Sequence, residues 1–278
     1  MAYVFVILIN KFYHLHLKKH RRTLRLFFYK IGNKKECYIC GKKFRRFIKY
    51  RGGWKKVSHW IKKIKPAGND FDNYSCPYCF SHDRERHLFM YFDKLNMWEK
   101  IIDSSVLHFA PETYLSKRIE ELNTKKYVKA DLYPDFLYKN ENDIQKINAT
   151  EIPYEDTTFD FIIFNHILEH IPDYRKALSE IFRVLRPKGI AILQTPYSRL
   201  FHSNFEDEGI NTDELRLFFY GQEDHVRIFS EKQFFQDLKN SGFVLKIYKH
   251  DDILIEFNPE YFGVNNEEYL IMALKPHI

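Results

Sequence analysis

The 278-residue chain is 45% hydrophobic and carries a formal charge of +7, enough length and apolar content for one large core with a small module beside it. The charge is unevenly placed: residues 1–66 hold 20 Lys and Arg against one acid, Glu36, for +19, whereas the remainder holds 24 basic and 36 acidic residues, for −12. The opening run MAYVFVILIN is too short to span a bilayer and precedes its positive charges instead of following them, which argues against a transmembrane helix and a cleavable secretory signal.

Residues 1–35 read as a basic segment in which aromatics and leucines interleave with cations from Phe12 to Phe28. Such a segment suits an anionic membrane surface, nucleic acid, or the acidic body of the same chain. Residues 36–82 contain all four cysteines as two Cys-x-x-Cys pairs, Cys37 with Cys40 and Cys76 with Cys79, separated by 35 residues. Each pair can offer two sulfurs from one tight turn, so the spacing predicts a zinc-ribbon-like module around one tetrahedral zinc. Four thiolates close the coordination sphere, which makes the expected zinc structural; Lys42, Lys43, Arg45 and Arg46 would offset its negative charge. Disulfides or redox dithiols are the alternatives.

Residues 83–103 predict a linking helix, with Leu88, Tyr91, Phe92 and Leu95 along one face. From Val106 onward short apolar runs alternate with helical patterns. VLHFA precedes a helix near 113–122, followed by KYVKADL, DIQKINA and FDFIIF. The next helix carries Tyr174, Ala177, Leu178, Ile181 and Leu185 and stops at Pro187 and Gly189, before IAILQT. The alternation predicts an α/β fold with a doubly wound, mainly parallel sheet over 104–278. Ligands of such a sheet bind beyond the carboxyl ends of its strands, at Asp131 for the second, Asn148 and Ala149 for the third, and Asn165 and His166 for the fourth.

The stretch INATEIPYEDTTFDFIIFNHILEHIPDYRKALSEIFRVLRPKGIAILQTP, residues 147–196, closely resembles the central motifs of class I S-adenosylmethionine-dependent methyltransferases of the type 11 group. The resemblance extends to VLHFAPE as a first motif and YVKADL as a second, and the cysteine pairs ahead of ERH and HFAPE resemble a ribbon-bearing subgroup often found beside surface-polysaccharide genes. It implies a Rossmann-like domain, with S-adenosylmethionine as cofactor. His108, Ala110 and Glu112 would occupy the first loop, Asp131 and Leu132 the ribose position, and Asn148, Ala149 and Asn165 the remaining strand ends. The family's loop usually has an acid followed by alternating glycines. Here no glycine is present, so the path is expected to depend on Pro111, with Glu112 supplying the missing charge toward the cofactor's ammonium. His166 and His225 are the candidate bases for a hydroxyl acceptor.

The implied activity is methyl transfer to a sugar or surface-glycan intermediate, in the cytoplasm or at the inner face of the membrane. Transfer to RNA, which the basic front would suit, and a non-catalytic binding protein with a vestigial cofactor fold are the alternatives. NHIL after the fourth strand lacks the Asn-Pro-Pro-aromatic signature of RNA-modifying enzymes.

Overall fold

The computed structural model describes residues 24–138 and 143–277, so the apolar and basic start of the chain, 1–23, lies outside the described residues. The cysteine module opens with a two-stranded hairpin, β1 (Lys35–Glu36) and β2 (Lys43–Phe44). Between the two cysteine pairs the chain makes a long excursion that includes α1 (His59–Ile64), whose Ile61 and Ile64 share a small core with Tyr220 and Ile228 of the main body. Helices α2 (Asp83–Lys94) and α3 (Met97–Ile101) follow.

The main body alternates β3 (Ser105–Phe109), α4 (Thr113–Glu120), β4 (Lys126–Asp131), α5 (Pro134–Leu137), β5 (Ile144–Lys146), β6 (Phe159–Asn165), α6 (Tyr174–Val184) and β7 (Leu185–Gln194). An insertion then brings β8 (Tyr197–Ser198), α7 (Asp213–Tyr220) and β9 (Phe229–Ser230), before α8 (Glu231–Asn240), β10 (Val244–Tyr248), α9 (His250–Ile253), α10 (Pro259–Phe262) and β11 (Leu270–Leu274). The seven-stranded sheet has the order β10-β11-β7-β6-β3-β4-β5. Pairing is parallel from β5 to β7, while β11 lies antiparallel to both β7 and β10. This is the Rossmann-like sheet that the sequence predicts, with one antiparallel strand.

Strand alternation sends successive side chains to opposite faces. Leu107, Phe109, Ile162 and Phe164 meet α6 and α8 on one face, whereas Val106, Phe161 and Ile163 meet α2, α3 and α4 on the other. Both faces are covered, which is why these strands read as unbroken apolar runs. The segment expected to link two units is thus part of the body's core: Leu88, Met90, Tyr91 and Phe92 are all buried against the sheet.

Two element boundaries differ from expectation. The single linking helix is two, because Asn96 adopts a left-handed φ of 51° between them. The helix expected to run to Pro187 ends at Val184, since Leu185 is already extended and begins β7. The register of β7 on β6 shifts between Phe159 and Phe161, where Pro187, lacking an N–H, is accommodated in the irregularity.

Arg86 joins the module to the body. Its guanidinium is completely buried and donates all five N–H groups: to Tyr74 O and Ser81 O (3.3 and 2.6 Å), to Asn73 O and Gly263 O (both 2.6 Å), and to Phe262 O (3.2 Å). It also lies 4.2 Å from the centroid of the Phe47 ring. Replacing Arg86 by Met keeps the apolar stem and strands these carbonyls, and should destabilise the fold by about 3–5 kcal/mol. Urea unfolding should show the midpoint of Arg86→Met well below wild type; an unchanged midpoint would mean that the guanidinium does not hold the module.

Candidate active site

The chain starts in the middle of the sheet at β3, winds outward to β5, and returns to β6, so the connections leaving β3 and β6 diverge. Such a switch point leaves a crevice at the carboxyl edge of the strands. A cleft of about 480 Å³ lies there, between residues 110–114 and Asn165–His166 on the strand side and Cys79, Arg84 and Glu85 on the other.

The glycine-free loop is built on a single left-handed residue. Ala110 has φ 46°, and its N–H donates to Ala130 O at 2.8 Å; its small Cβ limits the strain. Glu112, at φ −68°, is ordinary extended backbone, so no glycine is required at its position. Its carboxylate accepts from His108 Nε2 at 2.6 Å and from Asn165 Nδ2 at 3.2 Å. Burial pushes the Glu112 carboxyl up, but the bond and charge of His108 outweigh it and hold the group below the usual carboxylate range. His108 is held from behind by Tyr127 Oη at 2.8 Å. Among the described residues the buried Asn165 Oδ1 has no partner, leaving an acceptor beside a carboxylate.

The turn into α4 is capped from a distance. Glu112 makes no side-chain cap; Glu85 of α2 accepts from Tyr114 N and Leu115 N at 2.5 and 3.2 Å. Tyr114 Oη donates to Cys79 O at 2.6 Å, which ties this turn to the second cysteine pair.

His166, at the end of β6, also has a left-handed φ, 54°, and its N–H donates to Gln194 O at 2.7 Å. The ring is buried, with Nε2 2.7 Å from Glu268 Oε1 and Nδ1 3.6 Å from Glu169 Oε1. Burial and Arg84 push its pKa down; the two carboxylates more than offset this, so it stands above the ordinary histidine value. His225 is not at this cleft. It is buried behind Glu169, its Nε2 3.9 Å from Glu169 Oε1 and its Nδ1 3.2 Å from Tyr220 O.

The other strand-end candidates follow one another along the same sheet edge. Asp131 closes β4 and accepts from Tyr133 N at 2.7 Å, while Leu132 is exposed. Asn148 is exposed beyond β5, its Oδ1 accepting from Thr150 N and Oγ1 at 3.0 Å, whereas Ala149 packs into the core. The four cysteine sulfurs lie within 4.8 Å of one another, with Cys37–Cys79 at 3.6 Å and Cys40–Cys76 at 3.8 Å, and form no disulfide.

Residues 110–246 match a family model described as a methyltransferase domain. Over this stretch, 137 of the 278 residues, the chain is similar to a methyltransferase domain. Over 45 residues it is 47% identical to demethylmenaquinone methyltransferase of Bacillus mycoides, which is 16% of this chain and 19% of that protein. It is 36% identical over 69 residues to a probable S-adenosylmethionine-dependent methyltransferase of Mycolicibacterium smegmatis, 25% of this chain and 26% of that one. The matches therefore span 19% and 26% of these two relatives. Among solved structures, an S-adenosylmethionine-dependent methyltransferase from Mesorhizobium loti aligns with a TM-score of 0.49 at 13% identity, over 67% of this chain and 98% of that one.

At this cleft and its wall, sequence reasoning missed Glu85, Arg84 and Glu268. Glu85 opens the quoted ERH segment and Arg84 directly precedes it, and neither carries a local signal that separates it from an ordinary helix charge; Glu268 has no local signal either. Burial, followed by the charge of Glu112, pushes the Glu85 carboxyl up to about 7, against the pull of the Tyr114 and Leu115 N–H groups. The folded chain therefore keeps a proton that the unfolded chain loses above its ordinary value of about 4.3, and this group destabilises the fold progressively as pH rises through that window. Glu85→Gln should gain stability relative to wild type from about pH 4.3 to about 7 and hold a constant difference above it. Urea unfolding across that range checks this; a pH-independent difference would contradict the raised value.

Proposed function

We propose that this chain is an S-adenosylmethionine-dependent methyltransferase acting on a sugar or surface-glycan intermediate. The observation that carries the cofactor assignment is the Glu112 carboxylate at the switch point, bonded by Asn165 Nδ2, with Asn165 Oδ1 left without a partner among the described residues. Two acceptors there suit the ammonium of the methionine moiety, and the neighbouring cation Arg84 suits its carboxylate. His108 keeps Glu112 ionised and oriented. Asp131 is assigned to the ribose hydroxyls, with Leu132 beside it, and Asn148 and Ala149 to the adenine end. Ala110 would allow close approach of the backbone.

S-adenosylmethionine supplies a sulfonium methyl group, so the protein's main task is to align donor and acceptor, an effect with an upper limit of about 7–11 kcal/mol. His166 is the assigned base or orienting group for a hydroxyl acceptor. Arg84, Glu85 and His82 make a polar wall, which suits a polyhydroxylated acceptor better than an apolar ring. The ribbon-bearing subgroup that the sequence resembles supports the glycan assignment.

One structural zinc is assigned to Cys37, Cys40, Cys76 and Cys79. Zinc–sulfur bonds of about 2.3 Å in a tetrahedron place sulfurs about 3.8 Å apart, close to the separations of the two cross-pairs. Zinc would then brace the wall that Cys79 contributes to the cleft. For the N-terminal segment we assign an anionic membrane surface: Leu24, Phe27, Phe28 and Ile31 are exposed beside Arg25 and Lys30. No helix among the described residues is long and apolar enough to cross a membrane.

Two measurements test these assignments. Asp131→Ala should weaken S-adenosylmethionine binding by about 10- to 100-fold in calorimetry, the loss of one charge-assisted hydrogen-bond acceptor; equal affinity would remove the ribose assignment. Cys76→Ser should release about one zinc equivalent from protein purified under reducing conditions. Unchanged metal content would refute the four-cysteine site.

A further inference from the structure

Behind the cleft, three side chains converge on one buried oxygen. Glu169 is completely buried; its Oε2 accepts from Thr195 Oγ1 at 3.0 Å, and its Oε1 has no hydrogen-bond partner among the described residues. Ligand atoms of Glu169, His170 and His225 all lie within 4.8 Å of one another, and His166 Nδ1, also without a hydrogen-bond partner, faces the same Oε1 at 3.6 Å.

The hydrogen positions make this convergence informative. A carbonyl only accepts, so His225 Nδ1, 3.2 Å from Tyr220 O, carries the hydrogen. The neutral ring then turns the lone pair of Nε2 toward Glu169 Oε1, 3.9 Å away. His170 Nδ1 likewise faces Asp224 O at 3.2 Å and Asp224 Oδ2 at 3.3 Å, both acceptors, so this nitrogen carries a hydrogen. Two imidazoles and a buried carboxylate oxygen with no hydrogen-bond partner among the described residues therefore gather in one place. A buried carboxylate oxygen left without a hydrogen bond among imidazole nitrogens is costly unless a cation binds there. Each of these imidazoles also donates its other N–H to a backbone carbonyl, the arrangement that orients metal-bound histidines.

We propose that Glu169, His170 and His225 form a second metal site, for one divalent cation of the zinc class, distinct from the four cysteines. Two imidazoles and one carboxylate are a donor set suited to borderline transition metals and poorly suited to calcium or magnesium. His170 and Asp224 are partly exposed, giving an entry path and room for a water-filled coordination position. The proposal is independent of methyl transfer, since an inactive chain with the same cluster would bind the ion equally.

The test titrates Co²⁺ into full-length protein whose cysteine site has first been filled with Zn²⁺, followed by calorimetry and by total metal analysis after gel filtration. About one further equivalent, with visible absorption lacking sulfur-to-metal charge transfer, is expected for wild type. His225→Asn and the more exposed His170→Ala should each weaken Co²⁺ uptake at least about tenfold while retaining the cysteine-bound zinc. His170→Ala keeps the question answerable should His225→Asn fail to fold. No second equivalent in wild type, or equal uptake by wild type and His170→Ala, would overturn the site.

Discussion

The buried guanidinium of Arg86 is the constraint on which the arrangement of the cleft depends. An arginine loses its hydration on burial and must find a fixed acceptor for every donor. Here the acceptors come from three places in the chain: residues 73 and 74, Ser81 beside the second cysteine pair, and residues 262 and 263 near the C-terminus. Meeting all five donors sets the module, α2 and the segment before β11 at one mutual distance. Arg86 has the carboxylate of Asp83 nearby, pushed up to about 7 by burial, with one oxygen accepting from Asp70 N. With α2 fixed in this way, Glu85 reaches the start of α4 and Cys79 meets Tyr114.

The cleft follows from that placement. Its two loops each turn on one left-handed non-glycine residue, Ala110 after β3 and His166 after β6. Such conformations persist where surrounding contacts over-determine them. For Ala110 the contact is its N–H on β4, and for His166 it is an N–H on β7 together with two carboxylates holding the ring. The loop can dispense with glycine because only one of its residues is left-handed, and that residue is the smallest chiral one. Glu112 is then free to point inward, where His108 compensates its charge.

Charge is distributed in the same coupled manner. The acidic groups near the cleft, Glu85, Glu112, Glu169 and Glu268, are brought together from four elements far apart in sequence. Burial raises all of them, and only those with a histidine partner, Glu112, Glu169 and Glu268, are held below the ordinary range. The basic front is partly answered by the body as well, with Lys35 paired to Glu260 and Arg51 to Glu223, although such exposed pairs contribute little each.

By itself the sequence determined what local periodicity and spacing can express. Apolar runs alternating with amphipathic helices specified the sheet; residues at run ends specified Asp131, Asn165 and His166 as its carboxyl edge; and two Cys-x-x-Cys pairs specified four sulfurs able to meet. What it could not express were contacts between distant residues. Arg86 is 177 residues from Gly263, and His166 is 102 from Glu268, so neither pairing leaves a trace in any window of chain. The break at Asn96, the left-handed turn at Ala110 and the burial of His225 behind Glu169 belong to the same class. Each is decided by which surfaces are packed together after the chain has closed on itself, where hydrogen bonds and desolvation outweigh the intrinsic preference of a single residue.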